Sequence, residues 1–461
     1  MGQWFGSSGV RGTYAEISPN FGFKLGMAVG ETFKLNKPVL IASDIRATGD
    51  ILKFCFMSGF SSVSGNIIDI GLNPTPVLSY ISDIQDTLGI MITASHNPPG
   101  NNGFKLFWKG GECKEAVEGK IEERIRSSTF PSINYVYNQS EWNSVGTGSF
   151  TNPKPIIDDY IALLIQKLKI PNTNLKLVID CANNVPNLVT PLVLKKLGFM
   201  TVTEINSHLD ASFPGRPSEP TAENLQRLIS RVKEENAEVG IAHDGDGDRF
   251  AIIDEKGSLI KATTLINFFL DHLDYSNTDK GIVYLTSDCT SEAASIAKQH
   301  GAIVKTSRIG RNREHVNEPG VIFLAEPNKL VFPELGNWID GLFPVLKLIE
   351  IVRKQKLSVV MQRYEQRKTL RKAFIYSQSD MQYIHDHIQN LPSLWSQQIE
   401  RVIKLDGLKL YFKNKSSVLI RFSGTEPKVK FYLESESDSM NNNLLSKLIS
   451  EFNLQGEHLD C

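Results

Sequence analysis

The sequence predicts an α/β protein, with three related mixed α/β domains built on βαβ units and a smaller α+β domain at the C-terminus. Three observations lead there. A short apolar, β-branched phrase that stops at a small or acidic residue occurs three times, as "PVLIASD" (38–44), "LKLVIDC" (175–181) and "GIVYLTSD" (281–288). Each phrase is followed by a helix-length segment and a second strand-like run, all within about 30 residues, which is the pattern of parallel strands joined by a crossover helix. Past residue 372 the pattern gives way to consecutive strand-like runs, different in kind from the three repeats.

In order along the chain, the first copy continues into a helix over 50–62 and the strand "NIIDIG" (66–71). The second continues into 186–197 and "MTVTEI" (200–205), and the third into 290–300 and "AIVKT" (302–306). Identity between copies is negligible, so the repeat is one of architecture. "NSVGTGSFTNPKP" (143–155), rich in Gly, Ser, Asn and Pro, reads as a linker before the amphipathic helix "IIDDYIALLIQKLK". The strand "RFAIIDEKGS" (249–258) ends in a Lys-Gly turn before the helix "TTLINFFLDHL". "RYEQRKTLRK" (363–372) reads as a charged, nearly structureless join, beyond which "LKLYFKN", "SSVLIRFSG" and "KVKFYLES" are strands and 439–453 is a helix. These divisions place domains at 1–150, 151–254, 255–368 and 369–461.

The bulk properties narrow the function. A chain of 461 residues suits about three domains, give or take one, at ~150 residues each. With 41% hydrophobic and 22% charged residues there is ample apolar material for several cores. A formal net charge of −1 offers nucleic acid or a membrane surface no electrostatic attraction, and no apolar stretch approaches the ~20 residues of a membrane span. "MGQWFGSSGVRG" lacks the basic-then-apolar run of a secretory signal. The five cysteines (Cys55, Cys113, Cys181, Cys289, Cys461) are scattered, odd in number and without CxxC spacing. They read as isolated thiols, neither a disulfide framework nor a zinc site. The expectation is a cytoplasmic protein acting on small molecules.

Four segments carry chemistry. In "GIAHDGDGDRFAIID" (240–254), Asp244, Asp246 and Asp248 alternate with Gly245 and Gly247. Three carboxylates so close repel one another unless a cation neutralises them, the glycines let the backbone curl until the oxygens converge, and hard oxygen ligands favour Mg²⁺ or Ca²⁺. An EF-hand is excluded although Glu255 falls at its twelfth position, because Arg249 replaces its required glycine and both flanks are strands. In "TASHNPPGNNGFKLF" (93–107) an apolar strand breaks abruptly at Ser95, with His96 beside it and Lys105 ten residues on. No G-x-S-x-G surrounds this serine, and on an extended segment His96 points to the opposite face, so acyl transfer fits poorly. An exposed serine with a carboxylate triplet suits phosphoryl transfer, where positioning and charge neutralisation supply most of the catalysis. "FGSSGVRG" (5–12) is a glycine-spaced loop ending in Arg11 and Gly12 that suits an anion. "RFSGTEP" (421–427) places Arg421, Ser423, Gly424 and Thr425 in a small-residue turn suited to a phosphate.

These four segments, in this order and spanning essentially the whole chain, resemble the signatures of the α-D-phosphohexomutase superfamily. The resemblance implies four domains around a central cleft. It implies that Ser95 is the residue phosphorylated in the active enzyme, and that Asp244, Asp246 and Asp248 hold one Mg²⁺ together with a phosphoserine oxygen. Arg249 would sit beside that site, with Arg11, His96 and Lys105 lining the reacting phosphoryl group. Arg421, Ser423, Gly424 and Thr425 would grip the phosphate that is not transferred. The implied reaction interconverts a hexose 1-phosphate and a hexose 6-phosphate through a hexose 1,6-bisphosphate, which also serves as activator. A mannose/glucose mutase is the first expectation and a phosphoglucosamine mutase the alternative; a catalytically silent sugar-phosphate-binding paralogue is the reading from another class.

The chain departs from the family in its sugar-reading loop, "LAEPNKLVFPELGNWIDG" (324–341). Glu326 is kept and Asn328 takes the position of the usual serine, while Ala325 and Lys329 replace glycines. Upstream, Arg308, Arg311 and Arg313 crowd one loop, either to meet an anionic ligand or as a solvated face.

Overall fold

The computed structural model describes residues 3–6, 8–35, 37–64, 66–127, 149–150, 154–170, 174–276, 280–352, 355–377, 380–422, 428–452 and 459–460. The chain packs as two compact units, Met1–Ala262 with Arg313–Leu324 and Asn328–Val360, and Thr263–Asn312 with Ala325–Pro327 and Met361–Cys461.

In the first unit one sheet runs in the order Val10–Thr13, Asn101–Trp108, Leu88–Ile92, Val39–Ser43, Ile67–Leu72 and Ser149–Phe150. The strands Leu88–Ile92, Val39–Ser43 and Ile67–Leu72 are mutually parallel, and Asn101–Trp108 returns antiparallel to Leu88–Ile92. Both Val39–Ser43 and Leu88–Ile92 are buried along their whole length, as a parallel sheet covered on two faces requires. The period-two pleat explains the sorting. Val39 and Ile41 face the helices Pro19–Phe33 and Gly49–Ser61, while Leu40 and Ala42 face Leu78 and Ile81 of Thr75–Ile84. A second sheet, Phe250–Asp254, Val239–His243, Lys176–Asp180 and Thr201–Ile205, has three parallel strands and one antiparallel edge.

In the second unit Ile282–Thr286 and Ile303–Ser307 pair in parallel around the helix Ser291–Gln299, the third copy of the repeat. The tail is a six-stranded sheet of largely antiparallel pairs, in the order Ile399–Ile403, Leu408–Phe412, Ser417–Phe422, Lys428–Ser435, Lys368–Ile375 and Leu459–Asp460, with helices Met381–Leu394 and Asp438–Glu451. Three sheets with parallel cores and a C-terminal antiparallel sheet thus match the fold class the sequence predicts. Ser95 and the aspartate triplet follow the carboxyl ends of Leu88–Ile92 and Val239–His243, where ligand sites of such sheets form.

Several expectations need correction. The join at 363–372 is not structureless, because Lys368–Ile375 pairs along its length with Lys428–Ser435. Its charges are used, Arg367 on Glu434 at 3.1 Å and Arg371 on Asp288 at 3.2 Å. The second crossover helix is interrupted, a 3₁₀ turn at Val185–Leu188 preceding the helix Thr190–Lys196, since Pro186 and Pro191 each open a new first turn. Arg11 and Gly12 lie in the strand Val10–Thr13, paired with Asn101–Phe104, and not in an open loop. Of the linker at 143–155, residues 143–148 and 151–153 lie outside the described residues. Among the described residues no helix is long and apolar enough to cross a membrane.

Candidate active site

Ser95 sits in the turn that follows Leu88–Ile92 with φ +54, in the left-handed region that costs a non-glycine residue roughly 1–2 kcal/mol. The surrounding hydrogen bonds over-determine this conformation. The Ser95 N–H donates to Thr93 Oγ1 at 2.8 Å, and Thr93 Oγ1 donates to the buried Asp44 carboxylate at 2.7 Å. The Ser95 carbonyl accepts from Arg46 Nη2 at 2.7 Å and from Ser218 Oγ at 2.9 Å. The hydroxyl, on the other side, donates to Asp244 Oδ2 at 2.7 Å. The serine is fully buried, not exposed as its turn-rich sequence suggested. Its surroundings are polar, because its own loop and the loop carrying the aspartates meet there.

The second of these loops brings one oxygen each of Asp244, Asp246 and Asp248 within 4.8 Å of one another, all buried. Gly245 permits the approach: a Cβ there would lie 2.8 Å from the Ser95 carbonyl and 2.7 Å from Ser218 Oγ. Asp246 Oδ2 accepts from Thr75 Oγ1 at 2.6 Å and from Lys105 Nζ at 2.5 Å, and Asp248 Oδ2 accepts from Lys105 Nζ at 2.6 Å. The other oxygens, Asp246 Oδ1 and Asp248 Oδ1, are buried without a hydrogen-bond partner among the described residues. Burial pushes the Asp244 carboxyl well above its usual range, and its two neighbours push the same way. Burial would raise Asp248 as well, but Lys105, Lys329 and Arg249 hold it below the usual range. Two open acidic oxygens amid this repulsion are the setting a hard divalent cation fits. Glu255 accepts from Ser358 and takes no part, so the EF-hand stays excluded.

Four further residues singled out in the sequence meet here. Lys105, on the strand Asn101–Trp108, is 1% exposed, and although burial opposes its charge, Asp246 and Asp248 raise its pKa. Arg11 Nη1 lies 3.3 Å from His96 Nδ1. Arg249 places Nη1 2.9 Å from both oxygens of Glu219, and its N–H donates to Asp244 Oδ1 at 3.1 Å. His96 is nearer to Ser95 than an extended segment allows, its Nδ1 3.4 Å from Ser95 Oγ, because the left-handed residue turns both side chains to one side. Burial, then Arg249, Arg11 and Lys329, push this imidazole well below its usual value, which keeps the ring neutral.

Of the arginine-rich loop, Arg311 and Arg313 are buried, which overturns the solvated-face reading for both. Arg313 Nε reaches Glu112 Oε2 at 2.7 Å and Nη2 reaches Glu118 Oε1 at 3.4 Å. Lys329 is buried too, and its charge acts on Glu112, Asp248 and His96. Asn328 is exposed at φ +66. In the second unit Glu326 Oε2 accepts from the Gly310 N–H at 2.7 Å. Arg421 Nε donates to Asp406 Oδ1 at 3.0 Å, and Asp406 Oδ2 takes the Ile309 N–H at 2.8 Å. Ser423, Gly424 and Thr425 lie outside the described residues. Sequence reasoning missed Arg46, Arg216, Ser218 and Glu219; only Arg46, two residues past the acidic stop of the first repeat, carried a local signal.

Residues 2–132 match the family description phosphoglucomutase/phosphomannomutase, alpha/beta/alpha domain I; residues 158–257 match its domain II, and 363–450 its C-terminal domain. A phosphopentomutase of Thermococcus kodakarensis is 32% identical over 450 residues, covering 97% of each chain. A phosphoglucomutase/phosphomannomutase of the same organism is also 32% identical, covering 95% of this chain and 96% of that one. A phosphoglucosamine mutase of Methanococcus maripaludis is 30% identical, covering 97% of each. The fold is shared with a crystal structure of a phosphoglucomutase/phosphomannomutase family protein from Burkholderia thailandensis, with a TM-score of 0.83 and 22% identity over 98% of both chains. The chain therefore belongs to the α-D-phosphohexomutase superfamily, and is an isomerase of the intramolecular phosphotransferase kind that acts on sugar phosphates.

Proposed function

We propose that this chain interconverts hexose 1-phosphates and hexose 6-phosphates of the glucose and mannose series, through phosphorylated Ser95 and a hexose 1,6-bisphosphate that also serves as activator. The observation that carries the reading is Ser95 Oγ at 2.7 Å from Asp244 Oδ2, beside two buried carboxylate oxygens that have no hydrogen-bond partner among the described residues. Asp244, Asp246 and Asp248, with an oxygen of the phosphoserine, are the residues that would hold Mg²⁺. When bound, the ion neutralises charge on the phosphoryl group.

In the first half-reaction the bond from phosphorus to Ser95 Oγ breaks and a bond to the free sugar hydroxyl forms, while that hydroxyl loses its proton. In the second half-reaction Ser95 Oγ loses its proton and bonds to the phosphorus of the opposite phosphate, while the bond from that phosphorus to the sugar oxygen breaks and this oxygen takes up a proton. Arg11 and Arg249 would meet charge on the moving group. Lys105 is committed to Asp246 and Asp248; His96, neutral and 3.4 Å from Ser95 Oγ, is the nearer group to take the proton once the dianionic phosphoryl group offsets the cations that depress its basicity. Glu326 and Asn328 would read the sugar hydroxyls, and Arg421, Ser423, Gly424 and Thr425 would hold the phosphate that stays.

A second reading rests on Lys329. A buried lysine where the family's sugar loop has glycine leaves less room for a six-carbon sugar, and a relative at 32% identity is named a phosphopentomutase. A pentose 1-phosphate and pentose 5-phosphate pair would then be the substrates. Coupled assays on glucose, mannose, glucosamine and ribose 1-phosphates, each primed with its bisphosphate and Mg²⁺, decide between them. Fastest turnover on glucose or mannose supports the first reading, on glucosamine the alternative, and on ribose the second. No turnover on any, from protein carrying phosphoserine, defeats all of them.

A further inference from the structure

We infer that Arg46 and Arg216 are a matched pair of positioning residues that together fix where Ser95 stands against the aspartate triplet. Arg46 is 3% exposed, and its guanidinium is spent on backbone. Nη2 donates to the carbonyls of Ser95 at 2.7 Å and Asn97 at 2.8 Å, and Nη1 donates to those of Pro98 at 2.5 Å and Asn101 at 2.8 Å. Nε is anchored on Asp44 Oδ2 at 3.0 Å. One side chain thereby holds the whole turn that carries the serine, by the carbonyl side, with the hydroxyl directed away to Asp244.

Arg216 does the same in the second repeat. Its Nη2 donates at 2.6 Å to the carbonyl of His243, the residue before Asp244, and its Nε is anchored on Asp180 Oδ2 at 2.9 Å. Asp44 and Asp180 occupy equivalent places, each at the carboxyl end of the first strand of its repeat. The two clamps are joined. Arg216 Nη1 holds the Ser218 carbonyl at 3.1 Å, and Ser218 Oγ donates at 2.9 Å to the same Ser95 carbonyl that Arg46 grips. Phe213, three residues before Arg216, lies with its ring centroid 5.1 Å from the Arg46 guanidinium carbon.

A continuous path of charge-assisted and neutral hydrogen bonds thus runs from Asp180 through Arg216, Ser218, the Ser95 carbonyl and Arg46 to Asp44. A lysine in place of either arginine keeps the charge but cannot span several carbonyls at once, since it lacks the planar fork. A left-handed serine held at fewer points relaxes, and a displacement of about 1 Å at a reacting atom costs on the order of 100-fold in rate.

The inference rests on the reading of Ser95 as the phosphorylated group, and the test separates the two. Full-length wild-type, Arg46→Lys, Arg216→Lys and Ser95→Ala proteins are dephosphorylated and mixed with a sugar bisphosphate and Mg²⁺. Phosphorylation is followed by intact mass, and melting temperatures are recorded for each. Wild-type protein that takes up no phosphoryl group, or Ser95→Ala protein that takes it up normally, defeats the phosphoserine reading itself. With that reading intact, Arg46→Lys is expected to slow phosphorylation by about 100-fold at nearly unchanged KM, and Arg216→Lys by less. An Arg46→Ala variant should recover part of its rate on addition of methylguanidinium. Phosphorylation of Arg46→Lys at the wild-type rate overturns the inference. So does a loss of rate that tracks a collapse in melting temperature and that methylguanidinium leaves untouched in Arg46→Ala.

Discussion

The turn carrying Ser95 and the turn carrying the aspartates follow equivalent strands, yet they are made rigid by different means. The serine turn is held from outside: a non-glycine residue at φ +54 is kept there by Arg46 and Ser218 on its carbonyl and by Thr93 on its N–H. The aspartate turn is shaped from within by two glycines, Gly247 at φ +74, and is fastened from outside by Arg216 on the His243 carbonyl and by Lys105 bridging Asp246 and Asp248. The first ends with every polar atom of Ser95 engaged, and the second keeps two acidic oxygens open. The difference teaches which partner is finished and which waits. A group that must face one direction is fully satisfied, whereas a group that must accept a cation stays frustrated until the cation arrives.

Removing the hydroxyl should have the largest effect. Ser95→Ala is expected to lose at least ~10⁴-fold in kcat while melting normally, because the clamp grips the backbone and not the side chain. A mutase rate within tenfold of wild type would break the comparison at its centre. Removing the cation comes next. Chelation with EDTA, or Asp246→Asn, should lower the rate by about 100- to 1,000-fold.

Asp244→Asn sharpens the contrast by separating function from stability. It should lower the rate as much as Asp246→Asn does, yet raise the melting temperature of metal-free protein, because burial and two like-charged neighbours oppose the Asp244 carboxylate. Unchanged or lower melting would show that the turn is not frustrated. Gly245→Ala tests the contact between the turns, since its Cβ must displace the Ser95 carbonyl. A 10- to 100-fold fall in kcat with little change in KM is expected. The smallest effect is expected from Lys329→Gly, a severalfold shift in preference toward the six-carbon substrates in the coupled assays.

The sequence made the reactive groups legible because each is a local pattern: a strand broken at Ser95, or acids alternating with glycines at 244–248. It hid the residues that hold them. Arg216, Ser218 and Glu219 sit in an unremarkable "GRPSEP" stretch, and the His243, Ser95 and Arg249 groups they hold lie 27 or more residues away in sequence. Arg313 left an anionic ligand and a solvated face equally open for the same reason, because nothing near it announces Glu112 and Glu118. The βαβ repeats were legible from apolar runs and turn residues. The strand Lys368–Ile375 was not, since its charged side chains find partners only once the sheet has formed.

The most direct test is to map the phosphoryl group that a labelled sugar bisphosphate leaves on the dephosphorylated protein, with and without Mg²⁺. The label is expected on the peptide containing Ser95, formed quickly only with the metal and lost when Asp246 is changed to Asn. Label on any other residue, or labelling of Ser95 at one rate whether or not the metal and Asp246 are present, would contradict that expectation.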